Sequence, residues 1–117
     1  MEYNLEERTA QFSEESIAFS KLVKKSVITL PLITQFIRAA TSIGANYTEA
    51  TNASSKKDFK HKIYICKKEA QETKYWLRML RSESDGSGLH RLEKECHELL
   101  LIFQKIITSC NKIKIEN

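Results

Sequence analysis

Apolar positions recur in steps of three and four over four separate stretches of the chain, and helix-breaking residues fall between them. The first stretch predicts a helix over residues 13–29, with Phe12, Phe19, Val23, Val27 and Leu30 on one stripe. Leu30-Pro31-Leu32 should end it, because proline disfavours helix in the residue before it and suits a first helical turn. A second helix is expected over 32–53, with Ile33, Phe36, Ala40, Ile43, Tyr47 and Ala50 on its stripe. Ser55-Lys56-Lys57-Asp58 reads as a capping box, a hydroxyl followed three residues later by a carboxylate, opening a third helix over 55–83. Its stripe is Phe59, Ile63, Cys66, Ala70, Thr73, Leu77 and Leu80. Ser84-Asp85-Gly86-Ser87-Gly88 is the clearest loop signal in the chain. The fourth helix, over 88–113, carries Leu89, Leu92, Cys96, Leu99, Phe103, Ile106, Cys110 and Ile113. Four amphipathic helices with short connections pack most simply as an all-α, antiparallel, up-and-down four-helix bundle. Residues 1–117 then form one domain.

Composition supports that expectation. The chain has 117 residues, enough for one core, and only three Gly and one Pro, poor material for the turns of a sandwich or barrel. No apolar run approaches the ~18 residues of a membrane span, and the polar, acidic start is unlike a signal peptide. Three cysteines, without metal or redox spacing, all fall on apolar stripes and read as buried free thiols. A cytoplasmic, reduced protein without a membrane partner is expected.

Charge matters through its placement. The net +4 is mild, but the third helix gathers it. Lys60, Lys67, Lys74 and Arg81 recur every seven residues, with Lys57, His61, Lys68 and Arg78 beside them. Such a strip either pairs with acids on a neighbouring helix or contacts the phosphates of RNA or DNA, each cation displacing a counterion. The opposite flank carries Ile65, Glu69, Glu72, Trp76 and Met79. It is either a widened core edge or a contact between subunits. From Ser26 to Ser55 the only charged residues are Arg38 and Glu49, and Ser42, Gly44 and Asn46 continue a small or neutral surface. A helix so poor in charge reads as covered on more than one side, with Gly44 a point of close backbone approach.

The residues of familiar helical chemistries do not assemble. A carboxylate-bridged di-metal bundle needs two Glu-x-x-His copies; Asp58 and His61 have that spacing once, with the shorter acid. His90 and His97, one heptad apart, should face solvent, and Cys96 next to His97 is not a dyad, since adjacent helical side chains diverge. Gly86 and Gly88 are not followed by the Lys-Ser or Lys-Thr of a phosphate loop. Arg91 and His97 match the Arg-x(4–6)-His spacing of helical HEPN-type ribonucleases, a short pattern kept as an enzymatic alternative. No metal or cofactor is expected.

Three motifs, in order, carry a resemblance. Ser42-Ile43-Gly44-Ala45-Asn46-Tyr47-Thr48-Glu49-Ala50, Ser54-Ser55-Lys56-Lys57-Asp58-Phe59 and Lys68-Glu69-Ala70-Gln71-Glu72-Thr73-Lys74-Tyr75-Trp76-Leu77 resemble the bacterial four-helix bundle proteins encoded in intervening sequences of 23S ribosomal RNA genes. The likeness runs from about Leu5 to Ile113. It implies a ring-like homopentamer with no enzymatic activity. The family is also similar to the accessory variability proteins of diversity-generating retroelements, which bind nucleic acid and a reverse transcriptase through a basic surface. This chain is less basic than those, and its first connection, read at Leu30-Pro31, is shorter. Asn46, Glu49, Glu69, Glu72 and Trp76 match the motif residues and read as buried or half-buried groups that fix packing register. The function expected is a non-enzymatic, homo-oligomeric adaptor for nucleic acid, with a protein-binding scaffold as the alternative.

Overall fold

The structure, a computed structural model, describes residues 4–116, with side chains through Lys112. Its elements are α1 (Leu5–Leu22), α2 (Thr29–Thr51), α3 (Lys56–Leu80) and α4 (Leu89–Glu116), with one 3₁₀ turn at Arg81–Glu83. No strand occurs among the described residues. Each helix packs chiefly on its sequence neighbours, and the connections are short, so neighbours run antiparallel. The closing seam, α1 against α4, is the most open and is laced by ion pairs: Arg8 to Glu95 at 2.6 Å and Arg91 to Glu15 at 2.8 Å.

The stripes expected for α2, α3 and α4 form the core. Phe36, Ile43, Ile63, Cys66, Leu77, Cys96, Leu99 and Phe103 are fully buried, and Phe19 meets Phe36 edge-on at 5.9 Å. Ile102 and Ile107 join them from beside the α4 stripe. Ile106 and Cys110 are half-buried, and Ile113 lies outside the described side chains. Ser55 caps α3 as the capping box predicts: its hydroxyl accepts from the Asp58 amide at 3.0 Å. The return bond differs, since the Asp58 carboxylate accepts from the Ser54 amide at 3.4 Å.

The first helix departs most from expectation. It starts eight residues before 13 and ends seven before 29, at Leu22. Its buried face runs Leu5, Thr9, Phe12, Ser16, Phe19 and Ser20, so three of its six core positions are hydroxyl residues that do not register as apolar. Thr9 and Ser20 can be buried because each hydroxyl donates to its own helix, to the carbonyls of Leu5 at 2.7 Å and Ser16 at 2.9 Å.

The break falls at residues 23–28 rather than at Pro31, which sits harmlessly in the first turn of α2. Ser26 and Thr29 set it. The Ser26 hydroxyl accepts from the Thr29 amide at 3.0 Å, while the Thr29 hydroxyl accepts from the Ser26 amide at 2.9 Å, a reciprocal cap built from two hydroxyls. Lys25 closes the end of α1 by donating to the carbonyls of Ser20 and Val23. Val27 and Leu30, assigned to the core stripe, are therefore 88% and 52% exposed. The first connection is six residues long and is not the short junction the sequence suggested.

Candidate nucleic-acid interface

A helix places residues three, four, seven and eleven apart on one side. On α3 that side, turned away from the core stripe, carries Lys57, Lys60, His61, Lys67, Lys68, Lys74 and Arg78. Lys57, His61, Lys68, Lys74 and Arg78 are exposed; Lys60 and Lys67 are half-buried along their stems. None of them forms an ion pair with a carboxylate among the described residues. Arg81, at the end of the strip, is different: it pairs with Glu93 of α4 at 2.6 Å, so its charge is largely answered within the fold. Lys74 lies 3.3 Å from Nδ1 of His97.

The same side holds two residues that the reading by charge passed over. Tyr64 and Tyr75 are 53% and 54% exposed. Lys67 holds its ammonium 5.5 Å from the centroid of the Tyr64 ring, and Tyr75 stands edge-on to Trp76 at 5.1 Å. The signal was present in the sequence: eleven residues is three helical turns, which puts both rings among the lysines.

On the flank toward α2, Arg38 reaches across to two carboxylates of α3. Its Nη1 and Nη2 donate to the two oxygens of Glu69 at 3.4 and 3.2 Å, and Nη2 also donates to Glu72 at 2.6 Å. The Trp76 indole donates to the same Glu72 oxygen at 3.3 Å. Glu69 is buried. A carboxylate there needs the guanidinium, whose planar fork fits both oxygens. Arg38, hydrogen-bonded first of all by Glu69, has its pKa raised; Glu72, accepting from Arg38, has its pKa lowered. Ile65, Trp76 and Met79 are half-buried, and Trp76 packs against the edge of the core.

The remaining motif residues separate. Asn46 is half-buried and donates to the Ser42 carbonyl of its own helix at 2.8 Å, and Ser42 donates to the Arg38 carbonyl at 2.6 Å. Glu49, expected to be at least half-buried, is exposed and pairs with Lys62 at 2.7 Å, because it stands on the side of α2 opposite the core stripe of Phe36, Ile43 and Tyr47. Gly44 has its close approach, but to α1 of the same chain. A Cβ there would lie 3.3 Å from Thr9 Oγ1. Thr34, Gln35, Ala45 and Thr48 leave the outer side of α2 exposed, with Arg38 and Glu49 its only charges.

Elsewhere, reactive groups stay apart. His90 and His97 are exposed, and no cluster of His, Cys, Asp and Glu among the described residues could hold a metal ion. Arg91 turns to Glu15 of α1, while His97 turns to Lys74 of α3, so the ribonuclease-like pair points to opposite flanks of α4. Burial pushes the thiols of Cys66 and Cys96 up to about 12; each sulfur lies near a backbone carbonyl, of Ile43 at 3.5 Å and Ala70 at 3.2 Å. Cys110 is half-buried. No helix among the described residues is long and apolar enough to cross a membrane.

The chain is thus a small all-helical protein of four helices, whose third helix presents a basic outer face and anchors the network of Arg38, Glu69, Glu72 and Trp76. The chain belongs to the 23S rRNA-intervening sequence protein family, whose profile matches residues 2–105. It is similar to a protein of unknown function from the S23 ribosomal protein family of Bacteroides thetaiotaomicron, known from a crystal structure. The two share 31% identity and a TM-score of 0.77, over 87% of this chain and 96% of that one. A comparison with curated proteins finds no match.

Proposed function

We propose that the chain is a non-enzymatic, homo-oligomeric adaptor that holds RNA or DNA by its sugar-phosphate backbone through the outer face of α3. One observation carries this reading: seven cationic or titratable side chains, Lys57 through Arg78, share one helix face and form no ion pair with a carboxylate among the described residues, Lys68 alone acting on Glu72 at longer range. Cations that serve only solubility are ordinarily interspersed with acids, as Arg81 and Glu93 are here. Assembly of several copies, as a pentamer or another closed ring, would repeat the strip and multiply its affinity. The charge-poor outer side of α2, with Ile65, Trp76 and Met79 next to it, is the surface assigned to that assembly. A nucleic-acid enzyme such as a reverse transcriptase fits as a further partner of the adaptor.

A protein-binding scaffold is the second reading. It is favoured by the exposed corner of Leu22, Val27, Ile28 and Leu30, which no charge strip explains.

The test is binding of a generic duplex across a salt series by the full chain, with the mass of the assembly followed by light scattering. Neutralising Lys60, Lys67 and Lys74 with glutamine should make the plot of log affinity against log salt shallower by about 2–3, since each phosphate contact contributes about 0.9. Unchanged affinity and slope in that variant would reject the reading. A co-purifying protein together with no salt-sensitive nucleic-acid binding would favour the scaffold.

A further inference from the structure

The basic face of α3 is not a uniform run of charge. Tyr64 and Tyr75 stand in its middle, three helical turns apart, so their Cα atoms are about 16 Å apart along the axis. Both rings are more than half exposed, which costs apolar hydration that a purely solvated face would avoid by carrying Lys, Gln or Glu there. Lys60, His61, Lys67 and Lys68 lie one helix turn from the first ring, and Arg78 one turn from the second, with Lys57 and Lys68 two turns before the first and second rings. Lys67 holds its ammonium 5.5 Å from the centroid of the Tyr64 ring, so a cation and an aromatic surface stand together there.

Cations alone read only the backbone, and a duplex keeps its base faces stacked inside, out of reach of a side chain on a helix surface. A single strand has both phosphates and free base faces, and a tyrosine ring can stack on any base. At ~3.4 Å per nucleotide of stacked strand, 16 Å corresponds to about five nucleotides, within the range of a single-strand site.

From this arrangement we infer that Tyr64 and Tyr75 are base-stacking platforms and that the α3 face selects single-stranded RNA or DNA over duplex. The inference rests on the adaptor reading and adds the class of ligand. RNA and DNA strands share the chemistry recognised here, an unstacked base next to a phosphate.

The experiment uses the full chain and labelled oligomers of about 16 nucleotides, the upper end of a single-strand site: oligo(dT), oligo(U) and a duplex of equal length. Fluorescence anisotropy reads affinity. Emission of the single tryptophan, Trp76, which touches the Tyr75 ring, reads stacking directly. The single strands should bind more tightly than the duplex and should perturb Trp76 emission, which the duplex should leave unchanged. Comparing oligo(U) with oligo(dT) ranks RNA against DNA. Replacing both rings, Tyr64→Leu with Tyr75→Leu, should lower single-strand affinity at least fivefold per ring, with the salt slope and duplex affinity retained. Tyr64→Phe with Tyr75→Phe should keep single-strand affinity, because the ring and not the hydroxyl stacks.

Equal losses on single strand and duplex in the leucine variant, or no loss on either, would overturn the inference. The lysine-to-glutamine variant separates the two claims. A reduced salt slope there, with an inert leucine variant, leaves the adaptor standing and removes the platforms. Absence of binding to any of the three oligomers removes both.

Discussion

Gly44→Ala sets two effects of similar size against each other. In a helix interior alanine is favoured over glycine by about 1 kcal/mol, so on an open surface the change should stabilise. Here the new Cβ would lie 3.3 Å from Thr9 Oγ1, 3.4 Å from Thr9 Cβ and 3.5 Å from the Thr9 carbonyl carbon. Comfortable carbon contacts are about 3.5–4.0 Å, so something must give by a few tenths of an ångström. Thr9 cannot swing aside: it is buried, and its hydroxyl is held by the Leu5 and Glu6 carbonyls. The whole of α1 must shift instead. Overpacking costs about 1–3 kcal/mol, and one marginal contact belongs at the low end, about 1. The two terms nearly cancel, and Gly44→Ala should fall within about 0.5 kcal/mol of the parent, a change in Tm of about 2 °C or less. In a Thr9→Ala background the closest atom is gone, and the same substitution should then stabilise by about 0.5–1 kcal/mol. Urea unfolding followed by far-UV circular dichroism measures both. Stabilisation by the full 1 kcal/mol in both backgrounds would mean that α1 does not press on Gly44. An altered oligomeric mass with unchanged stability would return Gly44 to a contact between subunits.

Two further outcomes follow from the electrostatics of the fold. Glu72 has a lowered pKa in the folded chain, so its contribution to stability is present above its ordinary value of 4.5 and is lost as pH falls through the folded value. Arg38→Met should remove that stretch of acid sensitivity. At neutral pH it should cost about 1–2 kcal/mol, less than the 3–5 of a fully buried pair, because the Arg38 side chain is 44% exposed while that of Glu69 is 11%; an equally steep acid loss in the variant would show that the network is not its source. Because burial holds the thiols of Cys66 and Cys96 protonated, a thiol reagent at mildly alkaline pH should label only Cys110 rapidly in the native chain and all three in denaturant. Fast native labelling of Cys96, read by peptide mass, would contradict the packing of α3 on α4.

What the sequence determined by itself is what repeats locally. The apolar steps of α2, α3 and α4 put Phe36, Ile63 and Leu99 in the core because a side chain's direction on a helix follows from its position in the turn. Ser55 is a cap, and the lysines of α3 share a face, for the same local reason. Where a residue's role depends on what faces it, the tertiary structure decided. Thr9, Ser16 and Ser20 line the core of α1 because other helices cover them, and no apolar periodicity announces that. Val27 continues a stripe by spacing yet stands in water, because α1 has already ended at Leu22 and the Ser26–Thr29 cap begins a new helix. Gly44 meets Thr9 from thirty-five positions away, and Arg38 finds Glu69 from thirty-one. Arg91 and His97 are near in sequence but turn to different helices. Tyr64 and Tyr75 share the lysines' side of α3 by spacing alone, but only the bundle leaves that side uncovered. Periodicity fixes the direction of each side chain from its own helix; what stands in that direction is fixed only when distant segments are brought together.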